Sequence, residues 1–371
     1  MAKKTVSFLN IILLFCNVIV ILALLTSYLA NYLNPKVYFL AGLSGLFYPY
    51  ILIANVFFVV IWLFRKWKYC LLSLIAILTG FNSIERLYQF HRKIMPADTS
   101  QLVKVMSYNV QILGLYSKSN NKEKIIQFLK EERPDIICLQ EYCQTNSFKN
   151  GFVNAHHIQE ALHLKNYSLH TPLSRNNYLF GMAIFSKYPI IHQGTISFKD
   201  AKTNHAMFAD LKINSDTVRI YNVHFQSIHF GAEDYLFAQQ AASNPEMSNE
   251  QWKEHSVRIL KKIKTGFAKR SAQVDTIVNH INLSPYRVIV CGDFNDTPWS
   301  YTYQQIRNLL EDAFVKSGNG FGYSMIINKL LSFRIDYIFY DKSFQSYDFT
   351  TGNIRASDHY PVSTYIEINK E

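Results

Sequence analysis

The sequence predicts an α+β protein, a four-layer α/β/β/α sandwich preceded by an α-helical transmembrane region, and two observations carry that prediction. From Val103 onward, β-rich runs of about six residues alternate with amphipathic helical segments, with helices between some runs and hairpins between others; two sheets flanked by helices bury such a mixture. Before residue 95, by contrast, long stretches carry no charge.

The apolar part comes first. Phe8 to Ala30 is 23 residues without a charge, and Val37 to Phe64 is 28 more. Each is long enough to cross a hydrocarbon core of about 30 Å at about 1.5 Å per residue. A cleaved signal peptide fits less well, because the first run is too long and a second follows after a short loop. Tyr69 to Ile84 adds 16 uncharged residues, roughly 24 Å of helix, as a third candidate span.

Lys3 and Lys4 precede the first run, Lys36 stands alone in the first loop, and Arg65, Lys66 and Lys68 fill the second. Positive-inside bias puts the N-terminus and the second loop in the cytoplasm, so three spans leave the rest of the chain outside. The expectation is an integral protein of the plasma or inner membrane, with the lipid bilayer as partner and an extracytoplasmic soluble domain. Arg86, Arg92 and Lys93 pull the other way; if the third run does not cross, the soluble domain faces the cytoplasm.

Met95 to Gln101 contains Pro96, Asp98, Thr99 and Ser100, a polar break. The expected organisation is an anchor over residues 1–95, a linker over 96–102 and a soluble domain over 103–371. Expected strands are Val103–Tyr108, Ile136–Gln140, Gly181–Ser186, Ala206–Ile213, Val218–His224, Val288–Gly292 and Ile335–Tyr340. Expected helices are Lys122–Glu132, Phe267–Ile281 and Thr302–Leu310.

The net charge of +11 would suggest an acidic partner, but residues 1–96 hold 9 Lys and Arg against 1 acid, leaving 29 against 26. That remainder gives no argument for nucleic acid, whose backbone draws on a clustered cationic face. The five cysteines have no metal-binding spacing. Cys138 and Cys291 sit in strand-like segments as small hydrophobes, and a Cys138–Cys143 disulfide is disfavoured if both flank one strand.

Six polar clusters stand at the ends of the expected strands: Ser107-Tyr108-Asn109, Gln140-Glu141, Asn222-Val223-His224, Gly292-Asp293-Phe294-Asn295-Asp296, Arg334-Ile335-Asp336-Tyr337 and Ser357-Asp358-His359. Carboxylates, carboxamides and two histidines suit Mg²⁺ or Mn²⁺, hard ions with oxygen ligands, better than a closed zinc site. The set contains what phosphoester hydrolysis requires: an acid for the metal, a group to deprotonate water, donors for phosphoryl oxygens, and a His for developing charge. Neighbours on a strand face opposite ways, so Asp336 rather than Asp358 is the candidate to orient His359.

With these motifs in this order, Val103 to Ile368 resembles the endonuclease/exonuclease/phosphatase superfamily. The resemblance implies Glu141 as the main metal ligand, with Asn109 beside it and Asp358 as a second acid near the metal. It implies Asp293 as the residue that aligns or deprotonates water, Asn295 as a phosphate-binding group, and Asp336 as the partner of a catalytic His359. His224 matches the additional histidine of the DNase I and sphingomyelinase branches. The implied substrate is a phosphoester, either nucleic acid or lipid or small molecule; no protein partner is implied.

Other residues read more plainly. His156, His157 and His163 suit a solvated helix surface, and Lys261, Lys262 and Lys264 a solvated helix face. Arg175, Asn176 and Asn177 form a polar loop, and Trp299 suits core or loop packing. Phe225 to Gly266, with His229, Phe230, Tyr235, Phe237 and Trp252, is longer than a strand-to-helix link requires. It suits a lid, a surface resting on bilayer headgroups, or a helical excursion with its own core. A non-catalytic scaffold predicts erosion of the metal acids, and Glu141, Asp293 and Asp358 are all present. A transporter predicts intramembrane acids or histidines, and the first two spans have none.

Overall fold

The computed structural model describes residues 8–115, 120–145, 154–199, 204–228, 248–326 and 332–368. The N-terminal helices are α1 (Phe8–Leu29), α2 (Phe39–Leu46), α3 (Tyr48–Arg65), α4 (Cys70–Thr79) and α5 (Phe81–Ile84). Strands β1 (Gln89–Phe90), β2 (Leu102–Asn109), β3 (Ile136–Thr145), β4 (Asn166–Arg175), β5 (Tyr178–Ser186), β6 (Ile190–Ser197), β7 (His205–Ile213) and β8 (Asp216–His224) follow, with helices α6 (Asn121–Glu132) and α7 (Ala155–Ala161) among them. The long helix α8 (Asn249–Asn282) leads to β9 (Arg287–Asp293), α9 (Tyr301–Leu309), β10 (Glu311–Asp312) and α10 (Ala313–Ser317). The chain closes with β11 (Asn319–Gly320), β12 (Met325–Ile326), β13 (Ser332–Phe333), β14 (Asp336–Tyr340), β15 (Gln345–Thr351) and β16 (Val362–Glu367).

Two six-stranded sheets form the soluble half, in the orders β15-β16-β2-β3-β5-β4 and β10-β14-β9-β8-β7-β6. Each has one parallel pair, β2 with β3 and β8 with β9, among antiparallel neighbours. Side chains alternate between faces. Val103, Val105, Ile136, Cys138, Ile220, Ile289, Cys291 and Ile338 meet between the sheets. Met106, Tyr108, Ile137 and Leu139 turn outward onto Ile125, Leu129 and Ile158 of α6 and α7. Val288 and Val290 turn outward onto Val274, Ile277 and Ile306 of α8 and α9. Three cores between four layers make the α/β/β/α sandwich that the sequence predicts.

Every expected strand and helix is present. β4, β6, β15 and β16 are additions; β4 and β6 carry much exposed polar surface and so lack the apolar runs that mark the others. Of Phe225–Gly266, residues 225–228 and 248–266 are described, and Asn249 to Gly266 extend the expected Phe267–Ile281 helix toward its N-terminus as the first half of α8 rather than forming an excursion of their own. His229, Phe230, Tyr235 and Phe237 lie outside the described residues, as do Lys3 and Lys4. All five cysteines are free.

The second apolar run departs from expectation. It is two helices, α2 and α3, broken at Phe47. Pro49 stands in the first turn of α3, where its missing N–H costs nothing; continued into α2, it would remove a helix bond and crowd the preceding turn. α1 and α3 are each long and apolar enough to cross a membrane, and α4 is a shorter apolar helix.

The helical region buries polar residues beside a small apolar core of Leu24, Tyr48, Leu52 and Ala76, and its outer surface is apolar. Its buried positions include Asn10, Asn17, Ser27, Asn55, Ser73 and Ser83, whereas Ile11, Phe15, Ile19, Leu22, Ile53, Phe57, Val60, Leu63, Leu71 and Ile75 are exposed. Asn17 joins the three long helices, donating to Ser73 Oγ (2.6 Å) and accepting from Trp62 Nε1 (2.9 Å). Buried polar contacts between helices with an apolar exterior are the packing pattern of helices in lipid.

Candidate active site

Strand parity delivers most of the expected site residues to one place. Counting by twos from the inter-sheet core, β2 ends on Asn109, β8 on His224 and β9 on Asp293, while β14 begins on Asp336. Asp293 is directly opposite His224 on one side and Asp336 on the other. The same parity would turn Glu141 outward. A β-bulge prevents this: the register of β3 on β5 shifts between Leu139 and Tyr142, and Glu141 sits at φ 48°. The extra residue brings Glu141 beside Asn109 at the site end of the sheet.

Glycine permits the close approach of the two central strands. Gly292 has φ 152°, and a Cβ there would lie 2.0 Å from Val223 O. Immediately beyond β9, Asn295 takes the left-handed conformation (φ 52°), which Asn tolerates better than most residues.

The buried carboxylate of Asp293 is the hub. Its Oδ2 accepts from Asn109 Nδ2 and Asn295 Nδ2, each at 3.1 Å, and its Oδ1 accepts from Asn295 N at 2.8 Å. His224 Nε2 lies 3.6 Å and His359 Nε2 3.7 Å from the same Oδ2. Glu141 Oε1 is 3.2 Å from Asn109 Nδ2 and 3.8 Å from His224 Nε2. His359 Nδ1 pairs with Asp336 Oδ2 at 2.8 Å. Asp358, in the bend just before buried His359, is an exposed carboxylate that accepts from Ser357 Oγ at 3.2 Å, and its charge adds to those that favour the His359 proton.

Burial by itself would hold the His359 imidazole neutral, but the carboxylates of Asp336 and Asp293 outweigh it and push its pKa well above the usual histidine value. Asp336 is raised by burial, against the pull of His359. The pair therefore keeps a proton between two buried groups.

Two corners could hold a cation. One ligand atom each from Asp293, Asp336 and His359 lies within 4.8 Å of the others. His359 Nδ1 and Asp336 Oδ2 already occupy each other there. The second corner, between the carboxylates of Glu141 and Asp293, has Glu141 partly exposed, and the buried His224 Nε2 beside it has no hydrogen-bond partner among the described residues. Asn109 Oδ1 accepts from Gln111 N (3.1 Å), so its amide nitrogen is what faces the two acids. Asn295 likewise uses its amide on Asp293 and on Phe225 O (3.0 Å).

Some supporting residues carry no signal in the sequence. Ser324 Oγ accepts from Ile335 N (3.1 Å) and Asp336 N (3.0 Å), fixing the start of β14 from a loop with no motif. Gln140 and Asn222, members of the polar clusters, tie the two sheets together through a 2.7 Å bond. His156 and His157 lie on α7, and Arg175–Asn177 form the β4–β5 turn; none joins the cluster.

A two-sheet sandwich with carboxylates, carboxamides and two histidines gathered at the ends of both parallel pairs is the architecture of phosphoester hydrolases. The chain belongs to the Endonuclease/Exonuclease/phosphatase family, whose model matches residues 106–359. Residues 10–87 match the model of a domain of unknown function. No curated protein matches the chain. Among solved structures, the endonuclease/exonuclease/phosphatase from Beutenbergia cavernae DSM 12333 has a TM-score of 0.52 at 14% identity, covering 72% of this chain and 72% of that one. A family protein from Leptotrichia buccalis C-1013-b has a TM-score of 0.50 at 18% identity, covering 72% of this chain and all of that one (100%). The human Nocturnin catalytic domain with bound sulfate aligns at a TM-score of 0.47 and 18% identity, over 71% of this chain and 93% of that one. At these identities the likeness is one of fold.

Proposed function

We propose that the protein is a membrane-anchored, divalent-metal-dependent phosphoester hydrolase in which water attacks phosphorus in line. The observation that carries this reading is the convergence of Asn109, His224, Asn295 and His359 on one buried carboxylate oxygen of Asp293, with Glu141 beside them. Glu141 would hold Mg²⁺ or Mn²⁺, with Asn109 beside it and Asp358 at the rim. A bound ion of this kind polarises a phosphoryl oxygen. Asp293 aligns the attacking water and takes its proton. His224 donates to a phosphoryl oxygen, and Asn295 is the phosphate-binding group that the family resemblance implies. His359, held charged by Asp336, stabilises or protonates the group that leaves.

The apolar exterior of the helices and the polar contacts buried between them support an integral membrane protein, and their course supports three passes. Asn10 meets Arg65 at one end of the bundle, while Tyr48 and Ser83 meet Trp299 at the other. α4 and α5 thus return from the Lys66 and Lys68 loop to the soluble domain. Of the cations that argue against this topology, Lys93 pairs with Asp348 at 2.6 Å, while Arg86 keeps its charge and bonds to neutral acceptors at the junction. An extracytoplasmic catalytic domain follows from positive-inside bias.

Trp299 touches the bundle six residues after Asp293, a separation of at most about 20 Å. A cleft so close to the bilayer favours substrates presented at its surface, lipid headgroups first. Purified full-length protein should hydrolyse members of a phospholipid panel with Mg²⁺ and lose that activity in EDTA. Degradation of plasmid DNA instead would establish the alternative, an extracytoplasmic nuclease; hydrolysis of neither would overturn the reading.

A further inference from the structure

The segment from Asp293, the last residue of β9, through Asn295 to Trp299 runs from the candidate site to the helical region. Its near arm is held by the soluble domain: Asp296 accepts from Arg270 Nε (3.0 Å) and Thr302 Oγ1 (2.9 Å), and its carbonyl from the Tyr337 hydroxyl (2.8 Å). Its far arm is held by the helices. The buried Trp299 ring stacks on Tyr48 of α3 at 4.4 Å between centroids, and its indole N–H donates to Ser83 O of α5 at 3.0 Å. Gly45 of α2 makes room, since a Cβ there would lie 2.1 Å from Trp299 O.

Arg86 closes the junction. Its guanidinium donates to Pro298 O (2.9 Å), Gln304 Oε1 (2.8 Å) and Asn31 Oδ1 (3.0 Å), joining the catalytic loop, α9 and the end of α1. Arg334, two residues before Asp336 and paired with Asp312 at 2.8 Å, donates in turn to Arg86 O (3.4 Å). Strands β1 and β11 pair across the same boundary. A mere tether would need none of this.

We propose that Trp299 and Arg86 are positioning residues for Asp293 and Asn295, making the helical region a working part of the catalytic centre. The inference rests on the hydrolase reading for what the loop does, and on the contacts alone for how it is held. A cluster centred on one oxygen is sensitive to small displacements, because a misplacement of about 1 Å costs about 100-fold in rate. The clamp is built from the N-terminal helices, so packing within that bundle transmits to the loop.

The test uses the full chain in phosphatidylcholine nanodiscs, with bis(p-nitrophenyl) phosphate as substrate and Mn²⁺ binding followed by electron paramagnetic resonance. Trp299→Ala and Arg86→Ala should each lower kcat at least about tenfold with KM nearly constant, and weaken Mn²⁺ binding, while the unfolding midpoint stays near wild type. Trp299→Phe, which keeps the stack on Tyr48, should recover most of the loss. If either alanine variant fails to fold, Arg86→Lys, which keeps the charge but not the forked hydrogen bonding, should show the same split. Unchanged kcat and Mn²⁺ binding in both alanine variants, or activity lost only in proportion to folded protein, overturns the inference. If the wild type binds Mn²⁺ without turnover, the hydrolase reading fails, and the Mn²⁺ affinities of the variants still decide the positioning role.

Discussion

His359 Nδ1 lies 2.8 Å from Asp336 Oδ2 while its Nε2 points at Asp293, 3.7 Å away, so one imidazole spans two buried carboxylates from neighbouring strands. Those carboxylates hold its proton against burial. Asp336→Asn removes the nearer one, so the imidazolium loses its proton at lower pH. The expected outcome is a kcat lower by about 10²- to 10⁴-fold and an alkaline limb of the pH–rate profile moved to lower pH. An unmoved limb would show that Asp336 does not govern the charge on His359.

Glu141 reaches the cleft only through its bulge, and it is the carboxylate of the proposed metal corner that is open to solvent. Glu141→Gln keeps size and removes charge. The Mg²⁺ concentration for half-maximal activity should rise by about 10- to 100-fold. A titration of activity against Mg²⁺, with EDTA-treated protein as the zero point, measures it directly.

Asn17 satisfies Ser73 and the Trp62 indole at the centre of the helical bundle. Asn17→Leu leaves both without that partner. Thermal unfolding in detergent should reveal a loss of about 1–2 kcal/mol. Stabilisation by leucine would mean that the bundle packs in water as an ordinary apolar core, against the membrane reading.

Leu283, just past α8, is 84% exposed on the soluble domain, whereas every native cysteine outside the helical region is buried. Leu283→Cys should therefore react with a membrane-impermeant maleimide in intact cells. Labelling that required permeabilisation would place the catalytic domain in the cytoplasm.

The α/β/β/α sandwich was legible because the inner strands alternate with period two and the helices carry apolar stripes, both local signals. The same parity, continued to the strand ends, placed Asn109, His224, Asp293 and Asp336 on one inner face. The pairing of His359 with Asp336 rather than with its own neighbour Asp358 is what the structure shows at 2.8 Å. Exposed strands such as β4 and β6 were not legible, since a polar edge lacks the pattern that buried strands must have.

Sequence by itself determined the architecture, the identity of the chemical groups, and helices long enough to span a bilayer, because composition and period are properties of neighbouring residues. Tertiary structure decided the bulge that turns Glu141 inward, the break at Phe47, and the use of Arg86 and Trp299 to join the helices to the loop after β9. Each of these depends on residues far apart in the chain or on a register that only the packed sheets define. Arg86 shows the difference most plainly: along the chain it is a loop charge after a hydrophobic run, and in the fold it is the donor that binds Pro298, Gln304 and Asn31 together.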